Sequence, residues 1–304
     1  MRYQKINSQN FAWYDLVNPE RADFNEFVKK FNFHPLNIED CFVASQRSKL
    51  EQFDNYIFAS IRLPFFQRQK RQFQIQEIRV FVGRDFLITI HSGYLPEFIS
   101  FIKNIKTEGK ARENFLRSPQ YLFYSILNHL VTAYFPMLDH LGEDIDKIEE
   151  NIFKGQEKLM VKEISIILRN LLDLRKTIKP LLGFSEKLLG IDHSFFSAEL
   201  KIYLRDLNNE VKQVWTALEN HYQVLKTLQS TNNSLISHNL SDRIKTLTVI
   251  SVLLLPLSLI AGFFGVNMEN VEFVFGSANL WLLFILMAIV TLGVYFYFKF
   301  KKFL

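Results

Sequence analysis

The residues best placed to do chemistry in this 304-residue sequence lie near the end of a long uncharged run, residues 246–268. There the run contains Gly265, Val266 and Asn267. Glycine can leave helical geometry, so the Asn267 carboxamide could point into the mouth of a pore. If several copies surrounded an axis, Asn267 would form a ring of neutral oxygens, which suits a hydrated divalent cation such as Mg²⁺. On spacing alone, however, a helix C-cap followed by a turn is the better interpretation of this tripeptide.

Acidic residues follow the tripeptide. Glu269 and Glu272 are the only charged residues between Lys245 and Lys299. They precede a second uncharged run, residues 273–298. Repeated around a ring, the two carboxylates would raise the local concentration of cations at the mouth.

The sequence offers little support for other kinds of chemistry. It contains no Gly-rich phosphate loop, no GxSxG or HExxH motif and no paired-cysteine zinc pattern, so we expect neither an enzyme nor a resident cofactor. The net charge is only +5 and the basic residues are spread along the chain, which argues against a nucleic-acid partner. The single cysteine, Cys41, cannot form an internal disulfide and fits a reducing cytosol. The acidic run at residues 143–150 is typical of a solvated helix face.

The two uncharged runs predict membrane spans. Each exceeds the roughly 20 apolar residues that cross a hydrocarbon core of about 30 Å. Arg243 and Lys245 precede the first run, and three lysines follow the second. Because positive residues stay on the cytoplasmic side of short loops, both termini are predicted to be cytoplasmic.

The elements before the spans change in type along the chain. In about the first 110 residues, the pattern predicts a helix over 24–33, a strand over 56–63 and a hairpin from strands 75–82 and 86–91, which together indicate an α/β domain. From about Ser118 the pattern becomes helical, with predicted helices over 121–154 and 156–189.

A third predicted helix starts after Ser197 and meets no Gly or Pro before Pro256. Extended to about Phe264 it would be about 100 Å long. Its apolar residues alternate at spacings of four and three, as in a coiled-coil seam, which His221 and Asn232 interrupt. The seam residues are Leu200, Leu204, Leu207, Val211, Val214, Leu218, Leu225, Leu228 and Leu235. A lone helix with so narrow a stripe needs partners, so self-association is expected, and a membrane-anchored coiled-coil scaffold stays an alternative.

The first span, the acidic loop, the second span and the lysine-rich tail together resemble the CorA-type divalent metal-ion transporter family. Similar segments occur at 34–58, at 134–150 (YFPMLDHLGEDIDKIEE) and at 203–206 (YLRD). The resemblance implies a funnel-shaped homopentamer in a bacterial or archaeal plasma (inner) membrane. In that fold an α/β cytoplasmic domain is joined to a long all-α stalk and two C-terminal transmembrane helices. Its partners would be further copies of the chain, membrane lipid and divalent cations.

The resemblance also suggests domain limits along the chain. These are a cytoplasmic α/β domain (1–117), a cytoplasmic helical hairpin (118–196), a stalk helix (197–245), a pore-lining first span (246–268), an outer loop (269–278), a second span (279–298) and a basic cytoplasmic tail (299–304).

By the same resemblance, Gly265, Val266 and Asn267 occupy the selectivity motif, with Asn267 as the residue that contacts the metal. The family's usual motif is Gly-Met-Asn, and Val266 replaces the Met, as in ZntB-like zinc transporters. The positions expected to face the pore are Ser241, Ile244, Leu247, Ser251, Leu255, Ser258 and either Ala261 or Gly262. Among them, Ile244, Leu247 and Leu255 resemble a hydrophobic gate, which blocks hydrated ions by dewetting, while Ser251 and Ser258 offer hydroxyls.

Asp206 matches a position that holds regulatory Mg²⁺ between adjacent subunits in magnesium-sensing members. The partner segment after Leu63 is acidic in the family but basic here, with Arg68, Lys70 and Arg71. One of these could pair with Asp206 across the interface. We therefore expect Mg²⁺-dependent closing to be weak or altered.

The leading functional prediction is a pentameric channel for Mg²⁺, with Co²⁺ or Ni²⁺ as surrogates, driven by the membrane potential. Potential alone supplies about 4.6 kcal/mol per 100 mV for a divalent cation, so no nucleotide motif is needed. Val266 and the basic segment keep a second prediction open, a ZntB-like Zn²⁺ transporter with or without proton coupling.

Overall fold

The computed structural model describes residues 3–8, 10–43, 48–106, 115–191, 195–265 and 277–300. The chain divides into two compact units, Met1–Gln229 and Ser230–Leu304. The first unit holds a sheet and most of the helices. The second contains the end of one long helix and the C-terminal helix.

The sheet of the first unit has six strands in the order β1-β2-β6-β5-β4-β3. The strands are β1 (Tyr3–Asn7), β2 (Ala12–Val17), β3 (Lys49–Gln52), β4 (Tyr56–Gln67), β5 (Gln72–Gly83) and β6 (Phe86–His91). Only β2 and β6 pair in parallel, and the predicted β5–β6 hairpin is confirmed. The sequence pattern missed β1, β2 and β3, which are short and lie at the two sides of the sheet.

Strand β4 is longer than predicted, because it passes through Pro64 instead of ending before it. Pro64 lies opposite Ile75 of β5. The other neighbour, β3, pairs with β4 only as far as Ser60. Beyond Ser60, β4 has no paired strand on that side among the described residues, and a proline without an N–H is tolerated at such an edge.

Aromatic rings form the core on one face of the sheet. Helix α1 (Arg21–Phe31) contributes Phe24, which is fully buried. The Phe33 and Phe81 ring centroids lie 4.2 Å apart, and those of Phe31 and Phe86 lie 4.0 Å apart. Full burial of one such ring stabilises the fold by about 1.5–3 kcal/mol.

The segment around Asn37 has a structural role. Asn37 lies in helix α2 (Pro35–Asp40) and is fully buried. Its Oδ1 accepts from the Tyr56 hydroxyl at 2.9 Å, and its Nδ2 donates to Glu51 at 2.6 Å. Lys49 bridges Asp40 and Glu51 at 2.7 and 2.9 Å. These contacts tie α2 to β3 and β4.

The helices after the sheet are α3 (Pro96–Lys106), α4 (Pro119–Thr132), α5 (Tyr134–Phe153), α6 (Glu157–Leu189), α7 (Ala198–Gly265) and α8 (Ser277–Phe300). The prediction of one helix over 121–154 is wrong, since the chain breaks at Ala133 into α4 and α5. Pro136 causes the break, because it has no N–H for the Thr132 carbonyl. The predicted Ser197 cap is confirmed, since its Oγ accepts from the Leu200 N–H at 3.2 Å.

The apolar seam of α7 is covered within the chain. From Leu200 to Leu228 the seam leucines and valines are at most 6% exposed. Asn208 contacts Ser185 of α6 at 2.9 Å, and the His221 ring lies against Gly142 of α5. The premise that the shorter helices leave this stripe uncovered is therefore wrong for residues 200–228, because α5 and α6 bring apolar stripes of their own to it. Leu235, the last seam residue, is only partly buried.

Candidate ion pathway

Helix α7 carries the predicted pore positions. In the described part of the chain, its stretch Ala198–Gly262 contains a window with mean hydropathy 2.1, apolar enough and long enough to cross a membrane. Helix α8 adds a shorter apolar stretch, Phe284–Phe300. The predicted selectivity motif begins at Gly265, which is the last residue of α7. Val266, Asn267, Glu269 and Glu272 lie outside the described residues, so their predicted roles stay predictions.

Six of the predicted pore positions share one face of α7. At about 100° per residue they fall within an arc of about 120°, which we call the open arc. All six side chains are exposed, and the three apolar ones, Ile244, Leu247 and Leu255, are 55–68% exposed. The open arc consists of Ser241, Ile244, Leu247, Ser251, Leu255 and Ser258.

The opposite face of α7 is shielded. Val249 is only 6% exposed, and its neighbours along this face are partly buried. This shielded stripe consists of Val249, Leu253, Pro256, Leu257 and Ile260. The centre of the shielded stripe lies roughly half a turn around the helix from the centre of the open arc. Along the same stretch, α7 therefore has one shielded side and one exposed side.

Hydroxyl groups near the start of the open arc are oriented by the helix itself. The Ser241 hydroxyl donates to the Ser237 carbonyl at 3.0 Å, and the neighbouring Thr248 hydroxyl donates to the Ile244 carbonyl at 2.8 Å. Because each hydroxyl proton is used in a hydrogen bond to the helix backbone, the lone pairs of the hydroxyl oxygen are left to accept hydrogen bonds from outside the helix. Such oxygens accept hydrogen bonds from the water shell of a cation.

Charged residues close to the span lie off the open arc. Asp242 pairs with His238 at 3.2 Å and with Lys245 at 3.5 Å. At helical spacing, Asp242, Arg243 and Lys245 all point outside the arc. A divalent cation on the arc would therefore not meet these basic side chains directly.

Asp206, the predicted regulatory residue, is exposed on the first unit's part of α7. One turn later lies Glu210, which the sequence analysis missed. Burial, and then the Asp206 charge, raise the pKa of Glu210, and its Oε2 is buried with no hydrogen bond to the described residues. Nearby on α4, burial raises the pKa of Tyr124 to about 12. The signal that could have revealed Glu210 is its i, i+4 spacing from Asp206.

Of the three basic candidates for pairing with Asp206, one is already engaged. The two terminal guanidinium nitrogens of Arg71, Nη1 and Nη2, donate to the Glu163 carboxylate of α6 at 3.2 and 2.7 Å, and this contact raises the pKa of Arg71. Within the described ranges, Arg68 and Lys70 form no ion pair, so they are the two that stay open for another copy.

The acidic run on α5 behaves as a solvated face. Asp144 pairs with Lys147 at 3.3 Å, and Glu150 pairs with Lys154. Across the residues that the structure describes, no group of three or more His, Cys, Asp or Glu side chains converges on a point where a metal ion could bind.

Comparison with known proteins places these features in a family. The family model described as "CorA-like Mg2+ transporter protein" matches residues 8–301. YfjQ of Bacillus subtilis is 27% identical over 98% of this chain and 92% of its own length. The cobalt/magnesium transport protein CorA of Thermotoga maritima is 26% identical over 98% of this chain and 85% of its own.

Solved structures agree on the fold. The complete CorA magnesium transporter of Methanocaldococcus jannaschii superposes with a TM-score of 0.83 at 19% identity, over 97% of this chain and 92% of its own. The ZntB cytoplasmic domain of Vibrio parahaemolyticus superposes with a TM-score of 0.54 at 13% identity, over 76% of this chain and 90% of that domain.

These matches confirm the predicted fold class, with an N-terminal α/β part, a long helix and a C-terminal helix. The family match covers almost the whole chain, which therefore belongs to the CorA-like Mg²⁺ transporter family, a family of membrane proteins that transport divalent metal ions and are not enzymes.

Proposed function

We propose that five copies of this chain surround a pore lined by the open arc of α7, and that the pore carries Mg²⁺ into the cell down the membrane potential. Co²⁺ and Ni²⁺ would pass as surrogates. The observation that carries the proposal is the exposure pattern of α7: the face predicted to meet the ion is uncovered, and the face opposite is shielded.

The second span has a place in this arrangement. Helix α8 carries a stripe of partly buried residues at helical spacing, namely Met287, Val290, Thr291, Val294 and Phe298. We propose that it faces the shielded stripe of α7, so that α8 stands outside the ring. Both termini and the first unit would then lie in the cytoplasm, and the loop with Glu269 and Glu272 would lie outside.

The pore would combine a gate and a filter. Rings of Ile244, Leu247 and Leu255 form apolar constrictions that exclude water and so block a hydrated ion when narrow. Between them, Ser251 offers hydroxyl oxygens, and Ser258 does so nearer the mouth. At the mouth, the Gly265–Val266–Asn267 motif supplies carboxamide oxygens that hydrogen-bond the hydrated cation, so most of the cost of dehydrating Mg²⁺ is avoided.

The driving force is sufficient without ATP. A divalent cation gains about 4.6 kcal/mol per 100 mV of inside-negative potential. That free energy corresponds to a concentration ratio of more than about a thousandfold.

Flux into liposomes tests the proposal. The full chain would be reconstituted with a Mg²⁺ indicator inside, and an inside-negative potential imposed by a K⁺ gradient with valinomycin. We expect potential-driven Mg²⁺ entry that Asn267→Ala abolishes and that the matched variant Asn151→Ala, on α5, leaves unchanged. Absence of flux for every divalent cation would refute the proposal and favour the membrane-anchored coiled-coil scaffold.

A ZntB-like Zn²⁺ transporter is the second candidate. Val266 in the filter motif and the basic segment Gln67–Arg71 favour it, and the ZntB cytoplasmic domain shares the fold of the first unit. The same liposomes distinguish the two candidates. Zn²⁺ entry that follows an imposed pH gradient, with Mg²⁺ entry absent, would replace the first proposal by the second.

A further inference from the structure

The turn between α5 and α6 exposes two large apolar side chains. Phe153, the last residue of α5, is 67% exposed, and Leu159, in the first turn of α6, is 66% exposed. Their neighbours in sequence, Ile152 and Met160, are buried, so the core-facing side of each helix is already supplied. Exposed apolar groups gathered at one place are typical of an interaction surface. We call residues 153–162 the hairpin tip.

The backbone of the hairpin tip forms a short, hydrogen-bonded turn. Gly155 has a φ of 82°, which glycine adopts without strain, and the space beside it is open in the described part of the chain. Its N–H donates to the Ile152 carbonyl at 3.2 Å, and the Gln156 N–H donates to the Asn151 carbonyl at 3.0 Å. The turn therefore holds the exposed side chains on an ordered support.

The hairpin tip also carries an excess of positive charge. It contains three lysines and one acid, Glu157, which is only partly exposed. Lys154 pairs with an acid of α5. Lys158 and Lys162 are exposed, lie one helical turn apart on α6 and form no ion pair within the described ranges. Two uncompensated ammonium groups thus lie beside the exposed apolar side chains.

The hairpin tip lies at the end of the first unit from which α7 continues to the first predicted span. Helices α6 and α7 run antiparallel, because Ser185 contacts Asn208 and, farther along, Arg175 binds Glu219 at 3.1 Å. Beyond this ion pair, α6 is longer than the part of α7 that precedes the end of the unit at Gln229. At 1.5 Å per residue, the start of α6 projects about 12 Å past that end.

We propose that the hairpin tip docks on the surface of the membrane that the chain's own spans cross. Phe153 and Leu159 would enter the layer between headgroups and acyl chains, and Lys158 and Lys162 would meet anionic lipid headgroups. Apolar side chains beside lysines are the combination that binds such a surface, and each lysine favours contact by about fivefold. Because the uncharged run at residues 246–268 belongs to the same helix α7, the surface is within reach of this end of the unit.

Quenching of a fluorophore at the turn tests the proposal. Gln156→Cys would be labelled with bimane, and the full chain reconstituted in vesicles of phosphatidylcholine, with or without phosphatidylglycerol, that contain lipids with a nitroxide on the headgroup. In the anionic vesicles we expect quenching at least about threefold stronger than for Lys179→Cys, an exposed position about 35 Å away along α6. The wild type gives the blank, because its one cysteine, Cys41, is buried.

Further variants separate the charged contribution from the apolar one. Lys158→Glu combined with Lys162→Glu should lower quenching at the turn at least about twofold in anionic vesicles, and added salt should lower it in the unreversed chain. Phe153→Asn should lower it in both lipid mixtures. The matched reversal at the far end of α6, Lys179→Glu combined with Lys187→Glu, should leave it unchanged.

Two results would overturn the proposal. The first is equal quenching at Gln156→Cys and Lys179→Cys, which would mean that water or a second copy of the chain covers the tip. The second is strong quenching at the turn that the lysine reversal and Phe153→Asn both leave unchanged. The nitroxide lies in both leaflets and no flux is measured, so neither result depends on the orientation of the chain or on the proposed ion transport.

Discussion

Helix α7 carries an apolar stripe in two regions, and the stripe is buried in one region and exposed in the other. In its proximal part, residues 198–229, the stripe is buried against helices of the same chain. In its distal part, residues 241–262, the apolar residues of the open arc are more than half exposed. The spacing of apolar residues is helical in both regions. Periodicity therefore shows which face of the helix is apolar, but it does not show which partner buries that face. In the proximal part, helices of the same chain bury the stripe. In the distal part, the stripe can be shielded from water only by lipid, by other copies of the chain or by closure of the pore.

The largest expected effect contrasts the two regions directly. Leu218 is fully buried in the proximal part, and Leu247 is 65% exposed in the distal part. Leu218→Ala should lower the free energy of unfolding by about 2–5 kcal/mol, because it leaves a cavity in a packed core. Leu247→Ala should lower it by less than about 1 kcal/mol. Urea titration in detergent, followed by circular dichroism, measures both, and equal losses would break the comparison.

The second prediction concerns flux instead of stability. Leu247→Asn should hydrate the proposed gate and raise Mg²⁺ entry into liposomes about tenfold, which corresponds to about 1.4 kcal/mol off the barrier. The matched variant Ile250→Asn changes an exposed residue at nearly the same depth but outside the open arc. It should leave the rate unchanged. If both variants raised the rate equally, the open arc would have no special relation to the ion.

The third prediction concerns Asp206, which lies in the proximal part of α7 and is exposed next to the buried seam residues. The resemblance to magnesium-sensing transporters predicts acidic residues where this chain has the basic segment near residues 68–70. Asp206→Ala should therefore change the inhibition of flux by internal Mg²⁺ less than about twofold. A shift of tenfold or more would show that Asp206 holds a regulatory cation in spite of the basic segment.

The smallest expected effect concerns the contact that fastens α6 to the sheet. Hydrogen bonding to Arg71 lowers the pKa of Glu163 below its ordinary 4.5. The pair therefore stabilises the fold at neutral pH and loses this contribution as pH falls below that value. The two side chains are 53% and 32% exposed, so Glu163→Gln should cost at most about 1 kcal/mol at pH 7. Wild type and variant should then converge in stability once the pH is low enough to protonate Glu163, and a gap that widens on acidification would contradict this assignment.

The sequence predicted the elements with strong local signals. The β5–β6 hairpin, the Ser197 cap and the end of α6 at Gly190 depend on turn and cap residues, and the structure places them as expected. Pro64 lies inside a strand that was predicted to end before it, whereas Pro136 interrupts a helix that was predicted to be continuous. The edge of β4 beyond Ser60 tolerates the first, and the second ends a helix that the apolar pattern would continue.

Long-range features were harder to predict. The burial of the α7 seam depends on how the apolar faces of α5, α6 and α7 pack together in the folded chain. Each apolar face, considered alone, could pack against several different partners. Asn170 is a buried polar residue on a mostly apolar face of α6, and its contact with the Arg71 carbonyl exists only in the folded chain. For the proposed ion pathway, the sequence predicted one face of α7, and in the structure this face is exposed.

The most direct measurement of the central claim compares two neighbouring residues, Ser251 in the open arc and Ile250 outside it. Each would be changed to cysteine, and a membrane-impermeant cationic methanethiosulfonate applied to liposomes during Mg²⁺ flux. The native Cys41 should not interfere, because it is buried and burial raises the pKa of its thiol to about 12. If α7 lines the pore with its open arc, the reagent should reduce flux at least tenfold in Ser251→Cys and leave Ile250→Cys unchanged. Equal responses of the two variants would contradict the account.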